Sequence, residues 1–305
     1  RRRQRQMCIR DRNMERETLL IPKLSRGGRP FIKGVATDSL ESYQASTIET
    51  AQKTVRAKGL ATLMNIDDAA GEDSAFAIIP ALSRQIAQDL EDAFEDCMLN
   101  GDTAATHQDD IANWNVRERW GASSLGTASD HRRLFLGMRA AAFDKGSTVD
   151  MSAGTFTFAE FMSVVSQLGE LAVGNKVCVV SPEALVANFL QLDEVVTLEK
   201  FGPQATILSG ELARLAGVPI VMSRFMSADL EADGKYLNGG SKNKSGFVIF
   251  NTDSWYQYLR RQITVESDKD IKSGVIQIVS TMRSVMDSPD ADSLKNVAYG
   301  FNLAI

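Results

Sequence analysis

Few residues in this chain could do acid–base or metal chemistry. There are two histidines, His107 and His131, and neither has a second ligand residue at helical spacing. His107 with Asp109 and Asp110 comes nearest to a cluster. As chemistry it would be a weak metal or base site. As structure it is a solvated polar loop, the reading adopted here. Zinc would need Cys and His spacings that the chain lacks. Gly121-Ala122-Ser123-Ser124-Leu125-Gly126 misses the GxSxG spacing of a nucleophile elbow, and so few histidines leave little for a triad. Gly239 to Gly246 is rich in Gly, Lys and Ser, but it has no Gly-Lys-Ser/Thr at the Walker interval and precedes a strand, so it reads as a flexible loop. No GxGxxG opens a helix. The adjacent acids Asp67-Asp68, Glu95-Asp96 and Asp109-Asp110 read as solvated faces. Trp255, Tyr256 and Tyr258 could stack bases, with Arg260 and Arg261 beside them, but their strand spacing with Phe247 and Phe250 fits core packing better. Cys8, Cys97 and Cys178 are isolated and odd in number, which argues against a disulfide framework and for a reducing, cytosolic setting. No catalytic, cofactor-binding or metal residue is therefore assigned, and no cofactor is expected.

Composition limits the rest. At 305 residues, 44% hydrophobic and 24% charged, the chain can bury a sizeable core, and its length fits about two domains. No apolar run is long enough to span a membrane as a helix. No fixed-period repeat is visible. The formal charge is −5. Residues 1–12 hold six Arg and one Asp; without them the balance is 28 basic against 38 acidic residues, or −10. So acidic a body does not look like a nucleic-acid clamp. The basic head reads as a non-native leader, set apart from the fold.

Several elements follow from periodicity. Residues 13–60 are polar, and Thr54 to Met64 offers only Val55, Leu60 and Leu63. Such an arm has too little apolar surface to fold alone, so it must lie on its own core or on a neighbour. Ile79, Leu82, Ile86, Leu90, Phe94 and Cys97 make one stripe on a long helix over 79–99, with Arg84, Gln88, Glu91 and Glu95 opposite, Pro80 in the first turn and Asn100-Gly101 as the stop. Asp102 to Thr127 reads as loop with local structure. Helices are predicted over 130–143 and 157–172, the latter with a Thr157–Glu160 capping box and Phe158, Phe161, Val165, Leu168 and Ala172 on one face. Val177 to Val180 is a buried strand. Ser181 caps the next helix, with Pro182 first. Residues 210–215 read as a short helix, 217–221 as a turn into a strand, and 229–246 as loop. Phe247 to Phe250, Trp255 to Leu259 with Ile263 and Val265, and Val275 to Val279 are strands. Val297, Tyr299, Phe301, Leu303 and Ile305 alternate with smaller residues, so the last strand should show one apolar face.

The order of these elements resembles the major capsid protein of tailed bacteriophages, the Hong Kong 97-like shell fold. Four passages carry the resemblance. They are Leu99-Asn100-Gly101-Asp102 at the end of the long helix, Val177 to Ser181 followed by Pro182-Glu183-Ala184-Leu185, and Leu215 to Val221 with Ser223 and Met226. The fourth joins Phe247 to Phe250, Tyr258, Arg260, Met282-Arg283 and Ala298 to Leu303 as closing strands of the peripheral domain. The match runs from about Thr54 to Ile305. Asn251-Thr252-Asp253 stands where the family often has Gly-Asp, and 102–127 is unusually polar.

The resemblance implies an α+β fold with a spine helix, a peripheral β-sheet, an axial α/β domain and an extended N-terminal loop. Its parts would be a leader (1–12), an arm and extended loop (13–60), a peripheral domain (61–172), an axial domain (173–246) and closing strands of both domains (247–305). It implies a structural, non-enzymatic protein forming hexamers and pentamers of an icosahedral head around double-stranded DNA. That DNA would be held by loose contact. Scaffolding, portal and decoration proteins are the further partners, without a membrane. The location would be the virion, after assembly in host cytoplasm. An encapsulin-like bacterial compartment shares the fold. A small-molecule enzyme built on residues 175–225 is the alternative from another class.

Overall fold

The computed structural model describes residues 9–24, 50–67, 78–114, 127–151, 154, 156–193, 213–272, 274–290 and 294–305. The strands are β1 (Arg10–Asn13), β2 (Thr18–Leu24), β3 (Thr50–Arg56), β4 (Lys58–Asp67), β5 (Thr148–Asp150), β6 (Lys176–Val180), β7 (Ala213–Leu215), β8 (Val218–Met222), β9 (Lys244–Asn251), β10 (Tyr256–Asp270), β11 (Val275–Asp287) and β12 (Val297–Ala304). The helices are α1 (Ile78–Asn100), α2 (Met138–Asp144), α3 (Phe158–Ser166) and α4 (Pro182–Ala187). One sheet runs β1-β10-β11-β4 and another β5-β12-β9-β6-β8-β7, while β2 and β3 pair alone.

The six-stranded sheet is buried on both faces, as unbroken apolar runs such as Val177 to Val180 and Phe247 to Phe250 require. Val177, Val179, Val248, Phe250, Val297 and Tyr299 point into one core, shared with α1 and α2. Cys178, Val180, Phe247, Ile249 and Ala298 point into the other, beneath α3 and α4. There Phe156, Phe161 and Phe189 surround the Phe247 ring at centroid distances of 5.7, 5.9 and 5.3 Å.

The last strand departs from the one-faced expectation. Its register with β9 shifts between Gly300 and Leu303, where Asn302 takes the left-handed conformation at φ +67°. This bulge inserts an unpaired residue and reverses the alternation. Leu303 consequently joins the second core while Tyr299 stays in the first. Phe247 to Phe250 and Ala298 to Leu303 lie in one sheet, with β9 between β12 and β6.

α1 matches its predicted span within a residue at each end, and over 23 residues it is about 35 Å long. Its apolar stripe holds for Ile86, Leu90, Phe94 and Cys97. From Asp92 onward, however, every side is covered, so Glu95 is buried instead of facing water. The predicted 130–143 helix is two pieces: a 3-10 turn at His131–Arg133 and α2. Gly137, in extended conformation, separates α2 from the residues before it. The predicted 157–172 helix stops at Ser166 and resumes as a 3-10 turn at Gly169, whose φ is +54°. Both predicted caps are present. Thr157 and Glu160 bond reciprocally, and Ser181 Oγ accepts from Ala184 N at 3.1 Å.

Ala213 to Leu215 form a strand, not a helix. Ala216 (φ 50°) and Gly217 (φ 77°) make the two-residue hairpin into β8, a turn that needs positive φ at both positions. Residues 210–212 lie outside the described residues.

The arm packs on the chain's own core at its base. Ile21, Val55 and Met14 enter the first core, and Lys53 Nζ reaches Asp287 Oδ1 at 2.5 Å. Arg10 to Asn13, three of them set aside with the leader, pair in parallel with Tyr256 to Leu259. Arg12 lies 4.2 Å over the Tyr256 ring, and Arg10 meets Asp253 at 2.6 Å.

Candidate functional site

Of the acids weighed in the sequence, Asp67 is exposed as expected and Asp110 is half-buried, but the others described are not solvated. Glu95, Asp96 and Asp109 are buried. His107 is half-buried, and its Nδ1 accepts from Asp109 N at 3.0 Å. Burial lowers its pKa, so the ring is held neutral. Trp255 and Tyr258 are core residues. Lys242 donates to Tyr236 OH at 2.7 Å, while Lys244 to Gly246 already belong to β9. Cys97 and Cys178 are buried free thiols, with burial raising the pKa of each. Asp68, Trp120, Cys8 and Gly121 to Gly126 lie outside the described residues. Among the described residues no group of three or more His, Cys, Asp or Glu is placed to hold a metal.

Instead the structure gathers charge at the C-terminal half of α1. This half carries Asp92, Glu95 and Asp96, with no basic residue in its last turn. Carboxylates at a helix C-terminus oppose its dipole, and buried ones need partners. Apart from Asn100 in the same helix, those partners come from distant segments. Asp96 accepts from Asn100 Nδ2 at 2.6 Å and pairs with His131 Nε2 at 2.6 Å. Glu95 Oε1 accepts from Ser223 Oγ at 2.7 Å, and Arg224 pairs with Asp92. Arg132 grips Asp130 through Nε at 2.9 Å and Nη2 at 3.0 Å, and also donates to the carbonyls of Trp114 and Ile111.

Arg139 is the centre of the junction. Its side chain is 1% exposed. Nη1 and Nη2 meet the two Asp109 oxygens at 3.1 Å each. Nη1 also donates to Asn100 Oδ1 at 2.8 Å and Nη2 to Gly234 O at 2.6 Å. Tyr299 OH donates to the same carbonyl at 3.0 Å, and Tyr236 N donates to Asp109 Oδ1 at 2.8 Å. The rings of Trp114 and Tyr299 flank the guanidinium at 5.6 and 5.5 Å. Burial alone would lower the Arg139 pKa, but Asp109 and the other bonds outweigh it and keep the cation. One side chain thus joins α2, the end of α1, the 102–114 loop and the 230–236 loop, against β12. It fixes how the helix sits on the six-stranded sheet. Planar, multidentate contacts of this kind are particular to arginine.

The sequence reading assigned none of these residues. Arg139 and Asp109 are 30 positions apart, and Arg139 and Gly234 are 95 apart, so no local pattern could pair them. The available hint was an Arg inside an otherwise apolar Met138 to Phe143 run.

A pH dependence follows. Burial pushes the Asp96 and Asp130 carboxyls up, but hydrogen bonds and charge from His131 at Asp96, and from Arg132 at Asp130, hold both below the ordinary range. A folded pKa below the unfolded value of about 3.9 contributes stability that is full above that value. It is lost as pH falls through the folded value. Denaturant unfolding between pH 6 and pH 2 should show a steep loss on the acid side, and Asp96→Asn should flatten it. Equal acid slopes in the two proteins would refute this role.

No protein-family model and no curated protein matches this sequence. Solved structures do match the architecture. A chain titled "Microbacterium phage Oxtober96" is similar at a TM-score of 0.64 and 11% identity, covering 96% of this chain and 88% of that one. The "capsid of native GTA particle" gives 0.60 and 16%, covering 98% and 89%. The SrpI encapsulin of Synechococcus elongatus PCC 7942 gives 0.60 and 11%, covering 99% and 88%. Nearly the whole chain therefore shares its architecture with these chains. The chain has the Hong Kong 97-like capsid fold.

Proposed function

We propose that this chain is the major capsid protein of a tailed phage, assembling as hexamers and pentamers into an icosahedral head around double-stranded DNA. The observation that supports this most is the shared architecture of nearly the whole chain with phage and GTA capsid chains. On this reading α1, the four-stranded sheet and the β2–β3 arm form the peripheral part. The six-stranded sheet with α2, α3 and α4 forms the axial part. The chain is not an enzyme: its buried charges are partners of one another and serve geometry. A shell subunit gains from many weak, symmetric contacts, and a net charge of −5 suits a wall in loose contact with packed DNA. Scaffolding, portal and decoration proteins are the partners this role calls for, with assembly in the host cytoplasm and residence in the virion. A second reading, an encapsulin-like compartment, is favoured by the likeness to SrpI.

The test is the sedimentation and negative-stain imaging of the full purified chain. Closed particles of uniform size are expected. A monomer that stays monomeric at every concentration and salt would overturn the shell reading. Neighbouring terminase and portal genes would favour the phage, and a neighbouring cargo-enzyme gene the compartment.

A further inference from the structure

The β4–β11–β10 ribbon has an outer face whose composition changes sharply along its length. The register sets Arg283 opposite Arg261, Thr281 opposite Thr264, Val279 opposite Glu266 and Gln277 opposite Asp268. Directly opposed residues share a face. Bonds from Arg261 Nη2 to Thr281 Oγ1 at 2.7 Å, and between the Thr264 and Thr281 hydroxyls at 3.0 Å, show the common side. Near the core β11 meets the chain's own β3 through Lys53 and Asp287, and Arg283 donates to the carbonyl of Ala57, just past β3. At the margin of that contact stand Arg56, Arg283 and Arg261. Arg56 and Arg283 both pair with Glu17, at 2.8 and 3.4 Å. Two guanidiniums directly opposed across a strand pair are unfavourable by themselves, and Glu17 is one carboxylate among three cations. Further out the face turns acidic, with Glu266 and Asp268 exposed. Between the ends lie Leu63, 57% exposed, and half-buried Val279.

We infer that this face docks on a second copy of the same chain, the Glu266–Asp268 end of one ribbon meeting the Arg56–Arg261–Arg283 margin of another. The inference rests on the shell reading and names one of its contacts. The argument for a second copy is charge complementarity. One surface carries an excess of base at one end and acid at the other, with apolar side chains between. Within a chain the two ends cannot satisfy each other. Arg261 and Asp268 are seven residues apart on one strand, about 23 Å at the usual rise, far beyond the screening length of about 8 Å at physiological salt. A subunit of the same sequence supplies both complements at once, and such pairing sets orientation and partner choice.

That separation makes charge exchange a clean test. Arg261→Glu and Asp268→Lys, made singly in the full chain, should each shift sedimentation from particles to small species. Thermal unfolding should be unchanged by Asp268→Lys, whose side chain is exposed, and not lowered by Arg261→Glu, whose carboxylate would stand opposite Arg283. The double variant R261E/D268K should reassemble, because the exchanged charges meet only between copies. Glu266→Lys should act as Asp268→Lys does. Singles that assemble like wild type, or a double variant no better than its parents, would overturn the inference and leave the shell reading intact. Should the wild type form only a small oligomer, the contact stands if that oligomer is salt-sensitive, lost in the singles and regained in the double, and a strict monomer would end both readings.

Discussion

Arg139→Met should destabilise the chain by about 3–5 kcal/mol, the usual loss when one partner of a buried ion pair is removed. The methionine keeps most of the side chain's bulk, so the loss would not be a cavity effect. It comes from what is stranded: the Asp109 carboxylate, Asn100 Oδ1 and the Gly234 carbonyl all lose their bond to the guanidinium. Asp109 keeps Tyr236 N as a donor and the Gly234 carbonyl keeps Tyr299 OH, which moderates the loss without neutralising the charge. Arg139→Lys should fall between, since one ammonium cannot reproduce the fork. Urea unfolding at neutral pH reads the difference. A change below about 1 kcal/mol for Arg139→Met, the scale of an exposed pair, would mean that the junction does not hold the fold together.

Gly137→Ala should cost about 3 kcal/mol, at the upper end of ordinary overpacking. The end of α1 and the entry to α2 cross at this point, where Gly137 N donates to Gly101 O at 2.8 Å. A Cβ on Gly137 would stand 2.5 Å from Gly101 N and 2.7 Å from Cys97 O. On Gly101 it would stand 2.5 Å from the carbonyls of Cys97 and Phe135. These are backbone atoms that cannot swing aside. Gly146→Ala is the control. Nothing lies within 4 Å of its Cβ position, though its φ is +57°, so only the left-handed penalty of about 1–2 kcal/mol applies. Gly137 itself has an ordinary extended backbone, so a loss there no larger than at Gly146 would mean that the crossing accommodates a methyl group.

The two sites differ in how much the sequence revealed. Asn100-Gly101 was legible as a helix stop, because a glycine after a periodic apolar run ends helices in any context. That Gly101 must also admit Gly137 was not, since nothing near either residue records the other. The same holds for the acids. Adjacent carboxylates are usually solvated, and only the arrival of His131, Ser223 and Arg224 from elsewhere makes burial of Asp92, Glu95 and Asp96 tolerable.

Local chemistry, then, was determined by the sequence itself. The span of α1, the Thr157 and Ser181 caps, the strands at 177–180 and 247–250, and the order of elements resembling a shell subunit all depend on residues within a turn or two of each other. Propensity, capping and periodicity act at that range. Tertiary structure decided everything that needs distant segments to meet. It put both faces of β9 and β12 in separate cores, reversed Leu303 through the Asn302 bulge, paired residues 10–13 with β10, and assembled the Arg139 junction. The physical reason is that a buried charge or a close backbone crossing is stable only with its partner present. That partner lies tens to hundreds of residues away, beyond the range of any local pattern.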